Sequence, residues 1–143
     1  MSIQLHHVSI TCRNLEQCCR FYEVVGFDKY LSYQDDYVTI LLMRSNHTYI
    51  ELFNFPREDQ EHINIDNSQA LPELKKPGIT HFALQVSDLK KIREKLSPNY
   101  QCSEIQKARL GLFSYFFALD PEFNQVEFIP VSYTHLTLPT KPK

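Results

Sequence analysis

Two histidines and two glutamates occupy matching places along a chain of 143 residues. His7 and His81 lie 74 residues apart (81 − 7), and Glu51 and Glu127 lie 76 apart (127 − 51). Imidazole nitrogens and carboxylate oxygens are donors that suit a divalent Zn, Ni, Fe, Mn or Co ion. An ion held this way can take two neighbouring oxygens of a substrate and withdraw charge from them. A C–H beside the polarised carbonyl then becomes acidic, and a carboxylate can move that proton between adjacent carbons. A single polar residue facing outward from a half-buried strand is commonplace. Four of them at repeat-equivalent positions favour one divalent ion bound by His7, Glu51, His81 and Glu127.

An internal repeat supplies the elements that must position them. The first half opens with an alternating run, Leu5–Cys12, predicted as a strand. Asn14 then caps a helix whose apolar positions Leu15, Cys18, Cys19, Tyr22 and Val25 follow the i, i+3, i+4, i+7 spacing, and Gly26 suits its end. Strand-like runs follow at 27–33, 37–44 and 48–55. The second half repeats the order, with a strand over 79–86, a helix capped by Asp88 reaching about Leu96, and strands near 101–105, 112–119 and 125–129. The segment Asp120–Asn124 is predicted as the turn between the last two. The expected fold class is α+β: two βαβββ modules, 3–55 and 78–130, in a single domain spanning 3–130. A polar linker over 56–77 separates them. Each module is about 50 residues, too few to bury a sheet alone. The two are expected to join, within the chain or across a dimer, as a curved mixed sheet around a metal-binding cavity.

Strand parity sharpens the ligand set, because alternate side chains face opposite sides. Val8, Ile10 and Cys12 share an apolar face, which leaves His7, Ser9 and Thr11 on the other. Ile50 and Leu52 oppose Tyr49, Glu51 and Phe53; Phe82, Leu84 and Val86 oppose His81, Ala83 and Gln85; Val126 and Phe128 oppose Glu127 and Ile129. Each ligand thus sits mid-strand on a mixed face with an apolar lining, as in a small-molecule pocket. His6 falls on the helix-packed face and is expected to be a buried or edge histidine. His47 and His62 lie in turn or loop contexts and are expected at the surface. Tyr49 and Phe53 are candidates to line the pocket. Lys107 and Arg109, in the loop before a cavity strand, are candidates to anchor an anionic substrate.

Composition narrows the partners. Hydrophobic residues make up 43% and charged residues 22%, and net charge is −2, values typical of a soluble globular domain. Phosphate binding needs clustered Lys and Arg; no basic stripe exists here, which argues against nucleic acid. No run approaches the roughly 18 apolar residues of a membrane helix. The opening MSIQLHHVSI has none of the regions of a signal peptide, and the four cysteines show no CxxC spacing. Free thiols and a cytoplasmic location are the expectation. The stretch 131–140, VSYTHLTLPT, breaks from the preceding pattern and resembles a translated sequencing adaptor. Residues 131–143 are therefore expected to be a non-native tail behind a gene cut short near Pro130, and His135 is set aside with them. Resequencing the locus tests this; a tail encoded there would refute it.

The ordered motifs Leu5-His-His-Val-Ser-Ile10, Phe21-Tyr-Glu-Val-Val-Gly-Phe27, Ile50-Glu-Leu52, Thr80-His-Phe-Ala-Leu-Gln-Val-Ser-Asp88 and Asn124-Gln-Val-Glu-Phe128 resemble the vicinal oxygen chelate superfamily. Within it, the His/Glu/His/Glu set is similar to glyoxalase I and glyoxalase-like proteins. That resemblance implies paired βαβββ modules, a homodimer with sites formed across the interface, and one divalent ion, most often Ni or Zn. For glyoxalase I it implies a lyase acting on the hemithioacetal of a 2-oxoaldehyde and a thiol, glutathione, with Glu127 as the proton-transferring base and Glu51 as second candidate. The Arg that such enzymes use for the glutathione carboxylate is replaced here by Thr11, a candidate substrate contact. Their Asn after the first Glu is matched only by Asn54, whose parity is opposite to that of Glu51. Where the family turn has Gly this chain has Phe123, and Asn124 is expected to take the left-handed conformation instead. An extradiol-type dioxygenase using His7, His81 and Glu127 for iron, an acyl-CoA epimerase, and a metal-free bleomycin-resistance-like binding module are the alternatives.

Overall fold

The computed structural model describes residues 2–56, 77–111 and 113–130. The expected linker, His62 and the tail over 131–143 thus lie outside the described residues, apart from the linker's ends at Pro56 and Pro77. The chain divides into two compact units between Ile65 and Asp66, each an α+β module with its own four-stranded mixed sheet.

Module one runs β1 (His7–Thr11), α1 (Leu15–Val25), β2 (Asp28–Gln34), β3 (Thr39–Ser45) and β4 (Thr48–Asn54). Its sheet order is β1-β4-β3-β2, with β1 parallel to β4 and the other pairs antiparallel. Asn14 caps α1 by accepting from the Gln17 backbone N–H at 3.0 Å. Gly26, at φ 131°, ends the helix and donates back to the Tyr22 and Glu23 carbonyls. Cys18, Cys19, Phe21 and Tyr22 of α1 are buried together with Ile10, Leu41, Met43, Ile50 and Leu52 of the sheet. One sheet face is therefore the core face, and the parity read from the alternation holds.

Module two runs β5 (Phe82–Val86), α2 (Leu89–Leu96), β6 (Gln106–Lys107), β7 (Ser114–Leu119) and β8 (Gln125–Pro130). Its order is β5-β8-β7-β6, again with a parallel first pair. Asp88 caps α2 by accepting from the Lys91 backbone N–H at 3.1 Å. Leu84, Leu96, Phe116, Ala118, Val126 and Phe128 form the core, with the Phe116 and Phe128 rings stacked at 4.9 Å.

Three expectations shift. The strand expected from Ile79 begins at Phe82, and Ile79 is 98% exposed. The strand expected at 101–105 is instead an irregular segment beside β7, followed by the two-residue β6. Its backbone still meets β7, through Leu119 N–H to Gln101 O at 3.0 Å and Ser103 N–H to Phe117 O at 2.8 Å. However, Phe117 N–H returns to the Ser103 hydroxyl rather than to a backbone carbonyl, and that side-chain bond interrupts the ladder. In the turn after β7 the positive φ falls on Phe123, at 65°, not on Asn124. Asp120 makes this possible: its Oδ1 accepts from the backbone N–H of Glu122 and Asn124, and its Oδ2 from the Asn124 side chain. A fully bonded turn of this kind can hold a non-glycine residue in a sparsely populated conformation.

All four cysteines are thiols. Burial pushes the Cys19 and Cys102 thiols above their ordinary value, which keeps them protonated and poorly reactive near neutral pH. Among the described residues no helix is long and apolar enough to cross a membrane.

Candidate functional site

Each module sets one His–Glu pair on the face of its sheet opposite the core. In module one the parallel register places Ser9 opposite Glu51 and His7 opposite Tyr49. His7 therefore sits one pleat before the residue facing Glu51, and its Nε2 lies 3.3 Å from Glu51 Oε1. In module two Ala83 is opposite Glu127, and His81, two residues earlier, brings Nε2 to 3.0 Å from Glu127 Oε1. The same offset in both modules gives the same pair. The histidines are 39% and 25% exposed and their glutamates 25% and 16%, so both pairs remain reachable from solvent.

The second nitrogen of each ring also has a partner. Thr80 Oγ1 lies 2.8 Å from His81 Nδ1, and His6 Nδ1 lies 2.9 Å from His7 Nδ1. A ring whose Nδ1–H is bound by such an acceptor keeps its Nε2 lone pair for an ion, the usual arrangement at metal sites. Two ligand atoms, each about 2.1 Å from one ion at roughly a right angle, are about 3 Å apart, so both pairs fit a divalent ion in spacing and in donor chemistry. A direct His–carboxylate hydrogen bond spans the same distance. Among the described residues no group of three or more His, Cys, Asp or Glu side chains is placed to hold an ion; each pair by itself supplies two ligands.

The carboxylates differ in their company. The Ser9 hydroxyl donates to Glu51 Oε1 at 2.7 Å. In module two Ala83 stands at that place, and among the described residues His81 is the hydrogen-bond partner found for the Glu127 side chain. The Phe117 ring meets the His81 ring edge-on at 4.9 Å.

The remaining candidates are scattered. Thr11 and Phe53 face each other at the far end of the β1–β4 pair, on the Glu51 face. Phe53 stacks on Phe55 at 6.3 Å. Tyr49 is stacked by the His6 ring at 4.6 Å and 14°. Lys107 pairs with Ser114, whose parity is that of buried Phe116, whereas Gln106 pairs with Tyr115 and shares the parity of Phe117 and Glu127. Arg109 lies exposed in the turn after β6. Asn54 points away from Glu51 and donates to the Cys12 carbonyl at 2.8 Å, tying the ends of β4 and β1.

His6 corrects the parity reading. It lies just outside β1, is exposed, and reaches both His7 and Tyr49 rather than the core. Alternation does not fix a residue outside the strand; His81, which likewise just precedes β5 rather than sitting mid-strand, takes its place from its contacts with Thr80 and Glu127. Ser9 and Thr80 also went unassigned in the sequence, although Ser9 shares the His7 face and Thr80 directly precedes His81.

Comparison with known proteins agrees with this frame. The family described as Glyoxalase/Bleomycin resistance protein/Dioxygenase superfamily matches residues 6–116. Among solved structures, a glyoxalase family protein from Enterococcus faecalis superposes with TM-score 0.69 at 18% identity, covering 88% of this chain and 96% of that one. The trypanothione-dependent glyoxalase I of Leishmania major gives 0.65 at 17%, covering 94% and 91%. A glyoxalase I mutant from Zea mays gives 0.69 at 19%, covering 88% of this chain and 44% of that one. At these identities the likeness is one of fold. No curated protein sequence matches the chain.

Proposed function

Since this chain belongs to the glyoxalase/bleomycin resistance protein/dioxygenase superfamily, we propose that it is a metal-dependent, glyoxalase-like lyase or isomerase that moves a proton beside a chelated carbonyl. The observation that carries this reading is the pair of equivalent His–Glu contacts, at 3.3 and 3.0 Å, one in each module. His7 and Glu51 of one module and His81 and Glu127 of the other would together hold one divalent ion, Ni or Zn by preference and Co, Mn or Fe as alternatives. When bound, that ion would polarise two adjacent oxygens of the substrate.

The chain's residues would do the rest. Thr80 and His6 would hold the two imidazoles through Nδ1 and leave each Nε2 for the ion. A carboxylate, Glu127 by preference, takes the carbon-bound proton of a hemithioacetal and returns it to the neighbouring carbon. The hydroxyl proton passes from one substrate oxygen to the other, so atoms balance without an oxidant or reductant. Apolar side chains such as Phe117 and Ile129, on the Glu127 face, would limit water around the exchanging proton. The proposed substrate is a small-molecule thiol adduct of a 2-oxoaldehyde, and the working form a homodimer.

Elemental mass spectrometry of the purified chain, ended after Pro130, tests the reading. About one Ni, Zn, Co or Mn per proposed site, with turnover of 2-oxoaldehyde–thiol adducts, is the expected result. Iron alone, with no such turnover, would favour the dioxygenase reading. No metal after incubation with each ion would make the protein a binding module and overturn the proposal.

A further inference from the structure

We propose that Ser9 is a positioning residue that anchors Glu51, so that the two carboxylates are unequal and Glu127 is the one free to move. This inference rests on the metal-site reading above and adds a division of labour to it. Glu51 Oε1 accepts from the Ser9 hydroxyl at 2.7 Å, in addition to its 3.3 Å contact with His7 Nε2. A hydroxyl-to-carboxylate bond of that length belongs to the strong, charge-assisted class. Glu127 Oε1 meets His81 Nε2 at 3.0 Å, and the position equivalent to Ser9 is Ala83, which has no donor to offer.

The repeat makes this a controlled comparison. Strand pairing and the offset of the His–Glu contact are alike in both modules, while the hydroxyl that reaches the carboxylate is present in module one and absent in module two; the Nδ1 partners, His6 and Thr80, differ as well. A group that ferries a proton between two carbons must leave its resting contact and swing, and each extra hydrogen bond raises the barrier to that motion. Glu51 would therefore serve as a fixed ligand. Glu127 would be the mobile base, taking one proton and giving it back.

The test compares Ser9→Ala, Ser9→Thr and Ala83→Ser in the full chain, with His81→Ala in parallel. Ni2+ affinity is read by chelator competition and turnover is read separately. Ser9→Ala is expected to weaken Ni2+ binding about ten-fold, the scale of an outer-shell contact, and Ser9→Thr, which keeps the hydroxyl, to restore it. Ala83→Ser gives Glu127 the missing donor; it should leave Ni2+ binding as tight or tighter while lowering kcat about ten-fold at unchanged KM. Parental Ni2+ affinity in Ser9→Ala, or parental kcat in Ala83→Ser, overturns the inference. His81→Ala separates the two failures. Loss of Ni2+ there, with Ser9→Ala unaffected, removes only the anchoring role. Unchanged Ni2+ binding in His81→Ala removes the metal site itself.

Discussion

The two modules solve the same positioning problem with different amounts of support. Module one covers its sheet with an eleven-residue helix that buries four side chains, and pairs six of the seven residues of its outer strand β2 with β3. Module two has an eight-residue helix with Leu96 as its buried residue and an outer strand, β6, of two. Yet the His–Glu contacts differ by only 0.3 Å. The pair geometry therefore depends on the parallel β1–β4 and β5–β8 ladders, whose registers match, and hardly on the helix or the outer strand. Variation is tolerated where it does not reach those central ladders.

The largest expected effect asks whether the glutamates are equivalent. Glu127→Gln should lower turnover by roughly two to four orders of magnitude, the scale of general acid–base catalysis. Glu51→Gln should show chiefly as weaker ion retention. Equal losses of turnover at full metal occupancy would break the proposed division. Next is the core of the less covered module. Phe116→Ala removes a fully buried ring stacked on Phe128 and should destabilise by about 3–5 kcal/mol in urea unfolding; a loss below about 1 kcal/mol would mean the stack contributes little. Smaller still are the caps. Asn14→Ala and Asp88→Ala should each remove about 1 kcal/mol. Hydrogen exchange should show the wider local opening at α2, which buries fewer side chains, and equal opening would contradict that contrast.

The smallest effect is confined to module one. The Tyr37 backbone N–H, then the Tyr33 hydroxyl, holds the exposed Asp35 carboxyl below its ordinary value of 3.8. A carboxyl depressed by folding contributes stability above its unfolded value and loses it as pH falls through the folded one. Asp35→Asn should therefore lower thermal stability slightly at neutral pH, leave it nearly unchanged in strong acid, and so flatten the acid limb below about pH 4. An unaltered acid limb would show that the turn does not hold in solution.

Much of this frame was legible in the sequence, because burial imposes periodicity. Ile10, Ile50, Leu84 and Val126 mark the core face, and both caps stand at their expected residues. The remainder turned on single side chains that periodicity does not encode. Ser103 breaks a strand by bonding to the Phe117 amide. Asp120 lets Phe123 take a conformation expected of its neighbour. The repeat marked His7, Glu51, His81 and Glu127 as one set of four, and the structure shows them as two contacts, His7–Glu51 and His81–Glu127, one in each module. The hydroxyls of Ser9 and Thr80 were not marked, because only three-dimensional register shows which atom each one reaches.

Sequence distance gives the parallel ladders a consequence for how the protein comes together. His81 and Glu127 are separated by 46 residues, and His7 and Glu51 by 44 (51 − 7). The hairpins β3–β4 and β7–β8 close over short loops, whereas β1 and β5 must each return across a helix and the rest of the module. Distant contacts form after local ones, because chain-closure entropy must be met first. The His–Glu contact is therefore expected among the last to form in each module, and an ion that needs both side chains would find no partner in a half-folded hairpin. Such an ion would act as a check on completed folding, drawing only finished modules into the bound population.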